Sequence, residues 1–167
     1  YINIEILRPE PTQGKLKSYS ITHDNLNRTY DVFVPDSLEK NAPVFFIFHG
    51  SYGTSAGMRG ATGFDFEYLA QEKGFLVVYP QGYKNFWNDC RGSADYEANL
   101  KDVDDIGYYK KVINLIEKDF GINKNNIIST GISNGGHMVY KLAYEIPNST
   151  FLHAPLVATL PIKNNND

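Results

Sequence analysis

Three patterns of apolar and polar residues succeed one another along this chain of 167 residues. Residues 1–7 alternate only loosely, and Pro9, Pro11 and Gly14 then interrupt them, so residues 1–14 read as an extended lead-in. Residues 17–22 and 29–34 alternate as half-buried strands do, and the run HDNLNR between them is rich in turn formers, which predicts an antiparallel hairpin. Arg28, at the edge of the second strand, reads as a solvated strand end. After a polar loop the pattern changes. PVFFIFHG at residues 43–50 and FLVVYP at residues 75–80 are continuous apolar runs, as expected of strands covered on both faces.

Helical spacing fills the intervals. Residues 62–73 put Phe66, Leu69 and Ala70 on one face, with Thr62 and Asp65 as a capping pair and Gly74 as the stop. A long loop over residues 81–101 leads to residues 103–120, where Val103, Ile106, Tyr109, Ile113, Ile116 and Phe120 share a helical face. Residues 126–130 are short, β-branched and apolar, and from Asn134 the residues Met138, Leu142 and Ile146 recur every four positions until Pro147. The last apolar run, residues 151–160, reads as a further strand. A hairpin followed by alternating strands and helices predicts an α/β fold, with a mixed, mostly parallel sheet and flanking helices.

The junction between the strand at 126–130 and its helix isolates Ser133 between Gly131 and Gly135. In a nucleophile elbow the serine takes a strained backbone conformation, and the positions two before and two after it must be almost free of side chain. The following helix aims its N-terminal N–H groups at the reacting oxygen, where negative charge would develop. A bare G-x-S-x-G arises by chance in about one chain in twenty of this length, given Gly at roughly 7% of residues. The strand before and the helix after carry the argument; the plainer alternative is a glycine-rich turn with a serine helix cap.

Composition narrows the partners. Hydrophobic residues make up 42% and aromatic ones 14%, enough for one real core, and the net charge of −3 offers no basic surface for nucleic acid or anionic lipid. The apolar run at residues 44–48 is far too short to span a bilayer. The single cysteine, Cys90, cannot form an internal disulfide, and nothing near it in sequence would activate it as a nucleophile. A chain that starts at Tyr1 fits a mature secreted form or an internal fragment.

In an open α/β sheet catalytic groups gather at the carboxyl ends of strands, and HGSYG, residues 49–53, occupies such an end. An oxyanion hole for acyl transfer needs two N–H donors, assigned here to Asn134 and Ser51, with Tyr52 as the fallback for the second. Taken together and in order, HGSYG, GFLVVYPQG, FWND, VDDIGYY and GISNGGHM resemble the polyhydroxybutyrate depolymerase-like branch of the α/β-hydrolase family, which includes feruloyl and acetylxylan esterases. The resemblance covers about residues 49–140. It implies that Ser133 is the nucleophile, that Ser51 and Asn134 frame the oxyanion hole, and that Tyr52, Trp87 and Asn88 lie near the substrate. It also implies a partial α/β-hydrolase domain over residues 15–161, no cofactor, a small or polymeric ester as partner, and an extracellular location; residues 162–167 read as a polar tail, and no His or further acid is spaced to complete a metal site.

The departure from the family pattern concerns the base and acid, which follow the nucleophile as Asp and then His. Only His137 and His153 come after Ser133, one on the elbow helix and one at the start of its strand, so neither is expected to be the base. His49 is expected to orient the oxyanion loop, and Asp167 would serve as the acid only if the tail folded back. The chain is therefore expected to lack the C-terminal strands and to be a poor catalyst alone. Asp104 and Asp105 invite a metal reading, but Asp102 with Asp105 reads better as a helix cap and first-turn acid. Tyr83, Phe86 and Trp87 suit either a pocket wall or packing. The functional alternatives are an amide or peptide hydrolase on the same scaffold and a non-catalytic remnant that keeps the cleft.

Overall fold

The computed structural model describes residues 9–89 and 91–160. The lead-in before Pro9, Cys90, and the tail with Asp167 lie outside the described residues. Strands β1 (Lys15–His23) and β2 (Leu26–Val34) form the expected hairpin, closed by Asp24 and Asn25 alone. Both turn residues have positive φ, 48° and 58°, the primed geometry whose twist matches the strands it joins. The strands are thus longer than their alternation suggested, because most of the polar run pairs across the ladder.

Next come β3 (Val44–Phe48), α1 (Ser55–Ala61), α2 (Asp65–Lys73) and β4 (Leu76–Pro80), followed by α3 (Glu97–Leu100) and α4 (Asp105–Phe120). Strand β5 (Ile127–Ile132), α5 (Asn134–Glu145), a 3-10 turn at Pro147–Ser149 and β6 (Leu152–Leu156) complete the described fold. The six strands form one sheet in the order β1-β2-β4-β3-β5-β6. Contacts of β1 with β2 and β2 with β4 are antiparallel; β4, β3, β5 and β6 run parallel.

The continuous apolar strands divide their residues between two cores. Phe46, Phe48, Leu76 and Val78 pack with Tyr109, Val112 and Ile116 of α4 and Met138, Val139 and Leu142 of α5. Ile47, Val77 and Tyr79 face the opposite way, toward Ala70 of α2, with Met58 of α1 packed alongside. Helices therefore cover both faces, as near-continuous apolar strands require.

Three local expectations are corrected. The helix expected over residues 62–73 starts at Asp65, and a separate helix, α1, precedes it. Gly63 and Phe64 both take positive φ and break the run, while the Thr62 hydroxyl donates back to the Met58 and Arg59 carbonyls instead of capping forward. At α4 the cap is Asp104, whose carboxylate accepts the Gly107 N–H at 2.7 Å, and not Asp102. Asp105 is buried: it pairs with Arg28 at 2.6 Å and accepts the Asn88 N–H at 2.7 Å. Arg28 is accordingly not a solvated strand end but 2% exposed, with its guanidinium over the Tyr108 ring.

Candidate active site

Sheet order fixes where the chemistry can sit. The chain leaves β3 through α1 and α2 on one face, whereas β5 continues into α5 on the other. The carboxyl ends of β3 and β5 therefore flank the crevice where connections diverge, the usual ligand position in such sheets. Phe48 stands opposite Gly131 in the parallel register, so His49 and Ile132 emerge side by side.

Ser133 follows with φ 55° and ψ −120°, a region that residues other than glycine rarely enter. Its N–H donates to the Leu156 carbonyl at 3.0 Å, and its own carbonyl accepts the His137 N–H at 2.9 Å. The flanking glycines are sterically required. A Cβ on Gly131 would lie 2.6 Å from the Gly135 carbonyl oxygen, and one on Gly135 would lie 2.5 Å from that of His49. The Ser133 side chain is exposed, and its hydroxyl has no hydrogen-bond partner among the described residues. As the first residue of α5, Asn134 has no intrahelical acceptor for its N–H.

The HGSYG segment forms a tight turn in which the Gly53 N–H donates to the Gly50 carbonyl at 3.1 Å and Tyr52 takes φ 60°. It lies against the elbow: a Cβ on Gly50 would stand 3.6 Å from that of Ser133. Gly50, the residue before Ser51, therefore lies against Ser133, which Asn134 follows in the chain. Tyr52 is 80% exposed, with its ring edge-on to Phe86 at 4.7 Å.

His49 is buried and committed at both ring nitrogens. Nδ1 lies 2.7 Å from the Gly50 carbonyl, so it carries the proton, and Nε2 accepts the Gly82 N–H at 3.0 Å. Burial lowers its pKa to about 4, with Arg28 adding to the shift and the Gly50 hydrogen bond opposing it. With both ring nitrogens engaged, the neutral imidazole has no free lone pair with which to accept a proton.

Trp87 and Asn88 do not line an open cleft. Trp87 is fully buried, donates from Nε1 to the His49 carbonyl at 2.9 Å, and packs edge-on against Phe48. Asn88 is 3% exposed and donates to Asp102 and to the Val103 carbonyl, while its own carbonyl accepts from Lys141. The Asn134 side chain ties this loop to the elbow: Oδ1 accepts the Trp87 N–H at 2.8 Å, and Nδ2 donates to the Trp87 carbonyl at 3.1 Å and to Asp89 at 2.6 Å. Asp89 was not singled out by sequence, because a carboxylate in an aperiodic loop carries no pattern that marks it as buried.

The remaining histidines serve elsewhere. His23 meets Asp104 at 3.0 Å beside the hairpin turn, and His137 turns Nδ1 toward the Ser133 carbonyl at 2.8 Å. His153 pairs with Ser129 in the β5–β6 ladder, well before the carboxyl end, and burial lowers its pKa. The described residues thus place an exposed serine at a strand-to-helix turn beside the Gly50 turn, and His23, His49 and His137 each have a ring nitrogen hydrogen-bonded to a group other than Ser133 Oγ. Among the described residues no group of three or more His, Cys, Asp or Glu side chains is placed to hold a metal ion, and no helix is long and apolar enough to cross a membrane.

A mixed, mostly parallel sheet with an antiparallel hairpin at one edge and helices on both faces is the α/β-hydrolase fold. Among solved structures the feruloyl esterase module from Clostridium thermocellum complexed with sinapinate superimposes with a TM-score of 0.71 at 14% identity, over 95% of this chain and 59% of that one. In sequence the chain is 26% identical over 128 residues to a bifunctional acetylxylan esterase/xylanase of Neocallimastix patriciarum, covering 77% of this chain and 17% of that protein. It is 27% identical over 119 residues to feruloyl esterase B of Thermothelomyces thermophilus, covering 70% of this chain and 39% of that protein. The chain thus spans less than half the length of these relatives. No family model matches it.

Proposed function

We propose that Ser133 is the nucleophile of a carboxyl-ester hydrolase. The observation that carries this reading is the conformation of Ser133, φ 55° and ψ −120°, on a strand-to-helix turn whose glycines admit no Cβ. Such a conformation persists only where the surroundings impose it, and here it projects a hydroxyl beside the Gly50 turn. In the reaction Ser133 Oγ bonds to the ester carbonyl carbon and its proton passes to a general base. The alcohol then leaves, and water releases the acyl group. The N–H groups of Asn134 and Ser51 take the negative charge on the carbonyl oxygen. The curated relatives support acetyl and feruloyl esters as substrates, and the exposed Tyr52 ring beside Phe86 gives a flat acyl group a surface to lie on. A polyhydroxyalkanoate-type polyester is the other ester compatible with this cleft. An extracellular location belongs to the same reading, because a polymeric ester is too large to be taken up.

The test is exposure of the protein to a fluorophosphonate, with mass-spectrometric mapping and parallel assays on an aryl acetate and a peptide anilide. Modification of Ser133 with turnover of the acetate alone is expected. Preferential turnover of the anilide would make the protein an amide hydrolase. One observation favours a second reading: three of the four histidines have a ring nitrogen hydrogen-bonded to a group other than Ser133 Oγ, and the fourth, His153, lies back along the β5–β6 ladder. If Ser133 resists the phosphonate altogether, the cleft is a non-catalytic binding site.

A further inference from the structure

Two residues frame the proposed oxyanion hole, and they come from different parts of the chain: Ser51 from the turn after β3, Asn134 from the start of α5. Their spacing decides whether two N–H groups can meet one oxygen, since donors must stand at about 2.7 to 3.1 Å from it. The Asn134 side is anchored by its helix and strand. The Ser51 side is a turn flanked by glycines, with Tyr52 at φ 60°, and such backbone has other conformations within reach.

The segment between Phe86 and Tyr96 touches both sides. The Tyr96 hydroxyl is hydrogen-bonded to Ser51 Oγ at 3.0 Å. Its ring is stacked on Phe86, centroids 4.2 Å apart at 21°, and the Phe86 ring in turn meets Tyr52. Arg91 lies over the Tyr96 ring at 5.6 Å and donates from Nε to Asp89 at 2.8 Å. Asp89 is fully buried and accepts from Asn134 Nδ2, while Trp87, two residues earlier, exchanges both backbone hydrogen bonds with the Asn134 amide. A continuous path of contacts therefore runs from Asn134 through Asp89, Arg91 and Tyr96 to Ser51.

We infer that Tyr96 is a positioning residue for ester hydrolysis: its hydroxyl fixes the Ser51 turn against the loop that also holds Asn134, and so sets the distance between the two oxyanion donors. The inference rests on the ester-hydrolase reading. The hydroxyl touches neither substrate nor the reacting atoms; it acts through Ser51. Ring stacking keeps Tyr96 in place without that bond, so Tyr96→Phe removes the tether while preserving the packing. Ser51→Ala breaks the same bond from the other end and leaves the Ser51 backbone N–H intact.

The experiment measures phosphonylation of Ser133 by an aryl fluorophosphonate, resolved into maximal rate and half-saturating concentration, together with kcat and KM for an aryl acetate. It uses wild type, Tyr96→Phe, Ser51→Ala and the double variant, with near-ultraviolet circular dichroism to confirm the fold. Each single variant should lower the maximal rate about fivefold, the worth of one net hydrogen bond, with the half-saturating concentration changed less than twofold. Because both act through one bond, the double variant should be no slower than the slower single variant. Wild-type rates in Tyr96→Phe, multiplying losses in the double variant, or a change in binding alone would overturn the inference and leave the ester-hydrolase reading standing. Failure of the wild-type protein to be modified at Ser133 would remove that reading, and the inference with it.

Discussion

His49 Nε2 accepts the Gly82 N–H at 3.0 Å, which joins the end of β3 to the start of the loop after β4 through a neutral imidazole. Folding thus favours the unprotonated ring, with a pKa of about 4 against 6.5 for the free side chain, principally because the ring is buried. Between those values the unfolded chain binds more protons than the folded one, so stability rises with pH through that window. His49 should contribute its full share above pH 6.5 and lose about 3 kcal/mol of it as pH falls toward 4. Urea unfolding of wild type and His49→Gln at half-unit steps would show this as a steeper dependence in the wild type; parallel curves would refute it.

At the elbow, folding and chemistry should separate. Ser133→Ala should abolish esterase activity while leaving the unfolding midpoint within about 0.5 kcal/mol, since the side chain is exposed. Gly135→Val should cost more than about 3 kcal/mol or prevent folding, because its Cβ would press on the Phe48 and His49 carbonyl oxygens. Soluble, cooperatively melting Gly135→Val protein would contradict that contact.

Trp87 is a packing and anchoring residue. Trp87→Phe leaves the His49 carbonyl without its indole donor, and should cost about 1 to 3 kcal/mol in chemical denaturation. Its effect on KM should be the same for a short acetate and a bulky aryl ester. A selective rise for the bulky substrate would put the ring back in the cleft.

The Arg28–Asp105 pair is buried on both sides, so removing one partner strands the other charge. Arg28→Met should lose about 3 to 5 kcal/mol at neutral pH. Burial already pushes the Asp105 carboxyl up, and without Arg28 the folded state would favour its protonated form still more. Part of the lost stability should therefore return as the pH is lowered through the carboxylate range, the sign opposite to that for His49. Thermal melts of Arg28→Met at pH 5 and 7 check it.

Periodicity revealed most of the fold because burial on two faces writes itself into runs such as VFFIF and into the four-residue spacing of Met138 and Leu142. The split between α1 and α2 was hidden, since Gly63 looks like a tolerated helix glycine until its positive φ is known. The strained turn at Ser133 was legible because such a turn constrains its neighbours Gly131 and Gly135 at fixed spacing. The loop of Trp87, Asp89 and Tyr96 was not: its hydrogen bonds to Asn134 and Ser51 span more than 40 positions, and no local pattern records such pairings. Arg28 misled for the same reason, its partner Asp105 being 77 residues distant.

The backbone at Ser133 has a consequence for how such a sequence changes over generations. A non-glycine residue at φ 55° and ψ −120° costs about 1 to 3 kcal/mol, which glycine would avoid at no loss of packing. A population selected only for heat resistance should therefore drift toward glycine at this position and discard the hydroxyl first. On the proposed reading, serine there is kept for its hydroxyl, at a standing disadvantage in how firmly the chain folds.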